Sequence, residues 1–296
     1  MADRGNTVLV VGSLHYDIFV EADHLPRKDE TAVGSRWFPK FGGKGGNQAV
    51  AARGNGVPSR MVGAVGDDDF GVFLRDRLLR AGVDDRHVAT APAAASGMSV
   101  AIMDKTGDYA ATIVSGANLL ISPAGLQNPE VWRDVGLLVL QNEVPEAVNI
   151  AAAEEARGRG IKTLLNAAPS RPMSSEFTSL VDILVVNAVE AEMMGAEPLT
   201  SLSGAADAAK ALADRFEAVI VTAGSLGLAA WGEDDEQFSI AAEKITVVSS
   251  HGAGDTFIGA LAANIVQGAT FRSACAAASH SAAEHVAGRR TTMFAD

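Results

Sequence analysis

Four short runs decide the fold of this chain: Val135-Gly136-Leu137-Leu138-Val139-Leu140, Lys162-Thr163-Leu164-Leu165, Ile183-Leu184-Val185-Val186 and Ala218-Val219-Ile220-Val221. Each is apolar almost throughout, as a strand covered on both faces must be. Each is followed by polar residues: Gln141-Asn142-Glu143, Asn166, Asn187 and Thr222. Helical spacing between the runs predicts helices over 146–158 and 205–215. Strands joined by crossover helices form a parallel sheet, so these polar ends converge on one sheet edge.

Working outward, Thr7–Gly12 and Met61–Gly66 read as two more core strands, and Phe70, Phe73, Leu74 and Leu78 mark a helix over 70–81. Asp67, Asp68 and Asp69 precede that helix and read as capping charges rather than metal ligands. The pattern changes over 18–41 and 97–118. Short half-buried strands appear there, with a hairpin predicted around Lys105-Thr106-Gly107. The expected architecture is α/β with three layers, a central mostly parallel sheet flanked by helices, plus a small β lid. Residues 1–12, 42–96 and 119–296 would form the core, and residues 13–41 and 97–118 the lid. Such a lid suits closure over a ligand and pairing with a second copy of the chain.

The 296 residues are 48% hydrophobic and 20% charged, the balance of an ordinary globular protein. A net charge of -12 argues against a nucleic-acid surface, but it does not weigh against a small phosphorylated ligand held by helix termini. The single cysteine, Cys275, excludes an internal disulfide, and the six histidines lack metal-ligand spacing. No apolar run is long enough for a membrane span, so a cytoplasmic protein is expected.

Two glycine-rich stretches carry chemistry. Val247-Val248-Ser249-Ser250-His251-Gly252-Ala253-Gly254-Asp255-Thr256 reads as an approach strand, a glycine turn and a helix start. Unpartnered N–H groups and the helix dipole make such a start an anion site. Asp255 then has two readings, a helix cap or a proton acceptor beside a phosphate. Gly42-Gly43-Lys44-Gly45-Gly46-Asn47 opens an Ala-rich helix and lets backbone approach a ligand. Asn47 suits either a helix cap or a bond to a sugar hydroxyl. In the loop expected after the first strand, Asp17 could accept two hydroxyls or simply form a turn. Asn187 and Glu190, three apart at a strand-to-helix junction, suit either a hydrated Mg²⁺ or a capping box.

Taken together, Gly-Gly-Lys-Gly-Gly-Asn-Gln-Ala at 42–49, Gly-Ala-Gly-Asp-Thr-Phe at 252–257, Leu140–Glu143, Asn187–Glu190 and Thr222–Ser225 resemble the ribokinase-like (PfkB) carbohydrate kinases over nearly the whole chain. The resemblance implies ATP-dependent phosphorylation of a sugar, a pentose first. Nucleosides of the pseudouridine or adenosine type and keto-sugar acids are alternatives. It further implies Asp255 as general base and Gly252, Ala253 and Gly254 as an anion hole. Ser13, His15, Asp17, Gly42, Gly43, Lys44, Gly46, Asn47 and Glu143 would hold the substrate. Asn187, Thr222, Gly224, Ser225, Gly227, Gly254 and His280 would contact ATP, and Asn187 and Glu190 would hold Mg²⁺ through water. A homodimer through the lid is also implied. A non-catalytic sugar or nucleotide sensor is the reading from a different class; Asp255 opposes it, because a pure binder gains nothing from a carboxylate facing phosphate.

The chain departs from that family at three places. His15 stands where members acting on ribose usually carry Asn, so imidazole reshapes the pocket. Ser249-Ser250 replace an Asp-Thr pair whose Asp binds an activating K⁺, leaving Ser249 and His251 as the remnant of that site. Residues 288–296 end without the usual glycine after the basic pair.

Overall fold

The computed structural model describes residues 5–105, 109–232 and 236–289. Two sheets organise it. The larger is built from β1 (Thr7–Val11), β4 (Ser59–Gly66), β5 (Asp84–Ala91), β8 (Val135–Gln141), β9 (Lys162–Asn166), β10 (Ile183–Asn187), β11 (Ala218–Thr222), β12 (Gly227–Trp231) and β13 (Gln237–Ala241). Its order is β13-β12-β11-β10-β9-β8-β1-β4-β5. Pairing is parallel from β11 to β5, and antiparallel only where β12 and β13 fold back.

Alternate side chains of each buried strand enter opposite cores. Val8, Val10, Leu137, Val139, Leu164, Val185 and Ile220 pack on one face, against α1 (Lys44–Gly54), α7 (Ala253–Val266) and α8 (Phe271–Val286). Leu9, Val11, Leu138, Leu140, Leu165, Leu184 and Val221 pack on the other, against α3 (Glu146–Gly158) and α6 (Leu202–Ala213). This is the expected central sheet between helical layers. Cys275 lies in α8, where burial pushes its thiol up to about 12.

The smaller sheet has the order β3-β2-β6-β7 and joins β2 (His15–Ala22) and β3 (Gly34–Gly42) to β6 (Met98–Met103) and β7 (Tyr109–Val114). Pro39 sits in the edge strand β3, where its missing N–H is tolerated. The predicted hairpin pairs Met103 with Tyr109; Thr106, Gly107 and Asp108 of its turn lie outside the described residues, as do residues 290–296. Tyr16 of β2 stacks on Phe70 at 4.0 Å and meets Phe73 edge-on, both from α2 (Asp69–Arg80). Asp68 caps α2, accepting from Gly71 N at 2.7 Å, as the acidic triplet suggested.

Two local expectations are corrected. No strand approaches α7: residues 242–250 form no regular element, and Val247 and Val248 are 65% and 71% exposed. Two adjacent β-branched residues mimic a strand, but here they have no sheet neighbour to complete one. The supposed loop over 13–17 is short, because β2 begins at His15 and pairs at once with β3 and β6.

Candidate active site

A cavity of about 140 Å³ opens at the carboxyl ends of the parallel strands, where ligands bind in open α/β sheets. Asn166, Asn187 and Thr222 line it from β9, β10 and β11. Lys44 enters from the start of α1, Glu190 from α5 (Ala188–Met193), and Gly252, Gly254 and Asp255 from the start of α7. The two glycine motifs, about 210 residues apart in sequence, therefore meet at one place.

Asp255 is the junction. Its Oδ1 accepts from Gln48 Nε2 at 2.9 Å and its Oδ2 from Asn47 Nδ2 at 3.2 Å. Gly252, in the left-handed region at φ 77°, precedes α7 without a side-chain cap, so Asp255 lies inside the first turn and does not serve as the N-cap. The capping reading of Asn47 fails for a similar reason. Helix α1 starts at Lys44 after Gly43, and Asn47 is already one turn in. Asn47 instead points to the carboxylate across the gap between the two helices.

The surrounding protein pushes the Asp255 carboxyl above the ordinary carboxylate value, against Lys44 and the bonds from Gln48 and Asn47. Glu190 is raised by burial as well, opposed by the Asn187 N–H and by Lys44. Lys44 itself is subject to burial, but Asp255, Glu143 and Glu190 outweigh it and hold its ammonium above the usual range. Lys44 thus neutralises part of a carboxylate cluster.

The anion-hole glycines differ in kind. Nothing lies within 4 Å of a Cβ built on Gly254, and its φ is not positive, so the fold does not require glycine there. Its bareness keeps the helix N-terminus open. Ala253 N–H, by contrast, bonds Ser250 O at 3.3 Å and is already engaged.

Other predicted residues do not line the cavity. Glu143 accepts from Ser13 Oγ and from Lys44 N at 2.9 Å. Asp17 is buried on β2, opposite Ser99, whose hydroxyl donates to it at 2.5 Å; it forms no turn. Burial raises the Asp17 carboxyl, against Ser99 and His15. Gly43, at φ 86°, lies so close to Ser13 and His15 that a Cβ would sit 2.8 Å from their backbone, and a Cβ on Gly46 would strike Phe41 at 2.6 Å. His15 is 3% exposed, and its Nε2 has no hydrogen-bond partner among the described residues.

Asn187 and Glu190 form a full capping box, each side chain bonding the other's N–H at 2.8 Å. Gly224 and Gly227 take positive φ around a short turn that carries Ser225, beside Thr222. His280 does not line this cavity; it is exposed on α8, 2.8 Å from the Glu243 carboxylate. At the expected cation site Ser249 Oγ accepts His251 N–H at 3.3 Å, and the His251 carbonyl is bonded to His285 Nε2 at 2.7 Å, with no carboxylate between them. Among the described residues no group of three His, Cys, Asp or Glu could hold a metal by itself, and no helix is long and apolar enough to cross a membrane.

Gln141 and Asn166, expected on the converging sheet edge without a site role, and Gln48, to which the sequence assigned none, are linked to Asp255 through hydrogen bonds. Their signal was slight: polar side chains inside, or at the end of, apolar elements.

The family described as pfkB family carbohydrate kinase matches residues 6–294. The chain is 31% identical to a deoxyribokinase of Salmonella typhi over 287 residues, covering 96% of this chain and 94% of that protein. It is 32% identical to a ribokinase of Mus musculus, covering 88% and 82%. The structure of Arabidopsis thaliana ribokinase complexed with ribose and ATP superposes with a TM-score of 0.87 at 28% identity, over 95% of this chain and 92% of that one.

Proposed function

The chain belongs to the pfkB family of carbohydrate kinases, ATP-dependent phosphotransferases, and we propose that it transfers the γ-phosphoryl group of ATP to a hydroxyl of a pentose, with Asp255 as general base. One observation carries this reading. A carboxylate stands at the mouth of a helix N-terminus, in a cavity shared with Lys44, Asn187, Glu190 and Thr222.

In the proposed reaction the acceptor hydroxyl lies against Asp255; its proton passes to the carboxylate as its oxygen bonds the γ-phosphorus, and the bond from that phosphorus to the bridging oxygen breaks, so that ADP leaves. The N–H groups of the first α7 turn, bare at Gly254, receive the charge of the transferring group, and Lys44 shares it. Phosphoryl transfer has a loose transition state, so such positioning and neutralisation are most of what the protein must supply. Asp17, Glu143, Asn47 and the backbone at Gly42 and Gly43 hold the sugar; Thr222, Gly224, Ser225 and Gly227 flank the nucleotide. His15 Nε2, which has no hydrogen-bond partner among the described residues, would suit a sugar hydroxyl.

The residues fit Mg²⁺ only in its usual hydrated form, with the Glu190 carboxylate beside the phosphates. When bound it would neutralise phosphate charge. Ser249 and His251 bring no carboxylate to a K⁺ site, and no step depends on one. The exposed Trp37 and Ile113 of the smaller sheet suit a homodimer contact, and a cytoplasmic location would supply the ATP.

The test is a coupled ADP-release screen over pentoses, 2-deoxypentoses, hexoses, keto-sugar acids and nucleosides. Fastest release with a pentose or 2-deoxypentose supports the reading. Absence of ADP release with every acceptor would favour a sensor that keeps the fold.

A further inference from the structure

Behind Asp255 lies a chain of three amides whose orientations fix one another. Gln141 Nε2 donates to Gln48 Oε1 at 2.8 Å. Gln48 then has only its Nε2 to present forward, and it donates to Asp255 Oδ1 at 2.9 Å and to Asn166 Oδ1 at 3.1 Å. Asn166 is held in turn by its Nδ2, which donates to Val185 O at 3.4 Å. Turning any one amide over would set oxygen against oxygen or N–H against N–H.

Gln48 and Gln141 are both fully buried, where polar side chains are costly unless paired; both ends of the Gln48 amide are paired, whereas Gln141 is held by its Nε2 alone and its Oε1 has no partner among the described residues. The fold also makes room for the chain. A Cβ at Gly12 would lie 1.9 Å from Gln141 Oε1, so the glycine that ends the first strand run leaves the space this amide occupies. An ordinary core would place apolar side chains here, and neither glutamine lines the cavity.

We propose that Gln48, oriented by Gln141, is a positioning residue for phosphoryl transfer: it holds Asp255 through Oδ1, so that Oδ2, which accepts from Asn47 Nδ2 at 3.2 Å, turns its second lone pair to the acceptor hydroxyl. Its N–H also favours the ionised carboxylate, the form that can accept a proton. This support matters because the charged groups around Asp255 pull in opposite directions. Lys44 of α1 favours ionisation, whereas Glu143 after β8 opposes it, and Asp255 in turn raises Asp17 of β2 and Glu190 of α5. The inference rests on the reading of Asp255 as the base.

The experiment is the pH profile of kcat/KM for the sugar, in wild type, Gln48→Leu, Gln141→Leu and the double variant. Gln48→Leu should move the acid limb upward by at least ~0.5 pH unit, with KM for ATP within ~3-fold of wild type. Gln141→Leu should move it the same way by less. The double variant should match Gln48→Leu alone, because Gln141 acts through Gln48. Gln48→Glu preserves length and the bond from Gln141; it serves if the leucine variant does not fold, and should shift the limb upward by placing a second carboxyl at Asp255. A uniform loss of rate with the limb unmoved, or additive shifts, would overturn the proposal. Asp255→Asn separates the two readings. Normal turnover there removes the base itself, whereas an inactive Asp255→Asn with unmoved limbs in the glutamine variants removes only the role of Gln48.

Discussion

The carboxylate of Asp17 occupies the space that a side chain on Gly42 would need. A Cβ at residue 42 would lie 1.9 Å from Asp17 Oδ2 and 2.4 Å from its Cγ, while the Ser99 hydroxyl holds Oδ1 from the facing strand. Glycine at 42 is therefore tied to the carboxylate, and not to an unusual backbone angle, since its φ is not positive. Gly42→Ala should displace Asp17 and raise KM for the sugar at least ~10-fold, with KM for ATP within ~3-fold. Initial-rate kinetics with each substrate varied in turn would check this; equal effects on both constants would count against Asp17 as a sugar ligand.

Gly254 offers the opposite case. With open space around its Cβ position and helical backbone, Gly254→Ala should stabilise the fold by up to ~1 kcal/mol through the unfolded chain. The same methyl group would stand where the transferring phosphate approaches, so kcat should fall by at least ~10-fold. Thermal melts and turnover on one preparation decide it. A variant both more stable and fully active would show that phosphate does not approach over Gly254.

Charge in the site gives stability a pH dependence. Asp17, Glu190 and Asp255 all have carboxyl groups raised above their ordinary values, so the folded state binds protons more readily than the unfolded chain. The contribution of each is fully present below the ordinary carboxylate value and is lost as pH rises through the raised one. Asp255→Asn removes one such penalty. Its melting temperature should exceed that of wild type at pH 8, and the gap should close below pH ~4. A constant gap across that range would mean that Asp255 is not held high.

The Arg60–Asp84 pair behaves in reverse. Asp84 is held far below the ordinary range, first by Arg86 and then by Arg60, whose guanidinium is buried and also caps the carbonyls of Val131 and Arg133. This contribution is present above the ordinary carboxylate value and is lost as pH falls through the depressed one. Asp84→Asn should cost about 1–3 kcal/mol at neutral pH, because it strips a buried arginine of its counter-ion. Denaturant titration at pH 7 and pH 3 would show the difference shrinking on acidification.

The parallel sheet was legible because four apolar runs ended in polar residues at regular intervals, and the strands carrying Gln141, Asn166, Asn187 and Thr222 lie where that rhythm places them. The meeting of the glycine motifs was legible through resemblance, since no local rule links residue 44 to residue 255. Other features depended on tertiary partners. Val247 and Val248 have strand propensity but no neighbouring strand, and so remain exposed loop. Asn47 has the chemistry of a cap, yet Gly43 ends the preceding segment first. Gln48 looked like an ordinary helical residue; its importance comes from Gln141 and Asp255, 93 and 207 positions away.

The most direct measurement is the turnover of Asp255→Asn on the best acceptor, alongside its affinity for ADP. A neutral amide keeps the shape and cannot take the acceptor's proton, so kcat should fall at least ~10²-fold while ADP binding stays within a few-fold. Near-normal turnover, or nucleotide binding lost in step with rate, would contradict Asp255 as the base of the phosphoryl transfer.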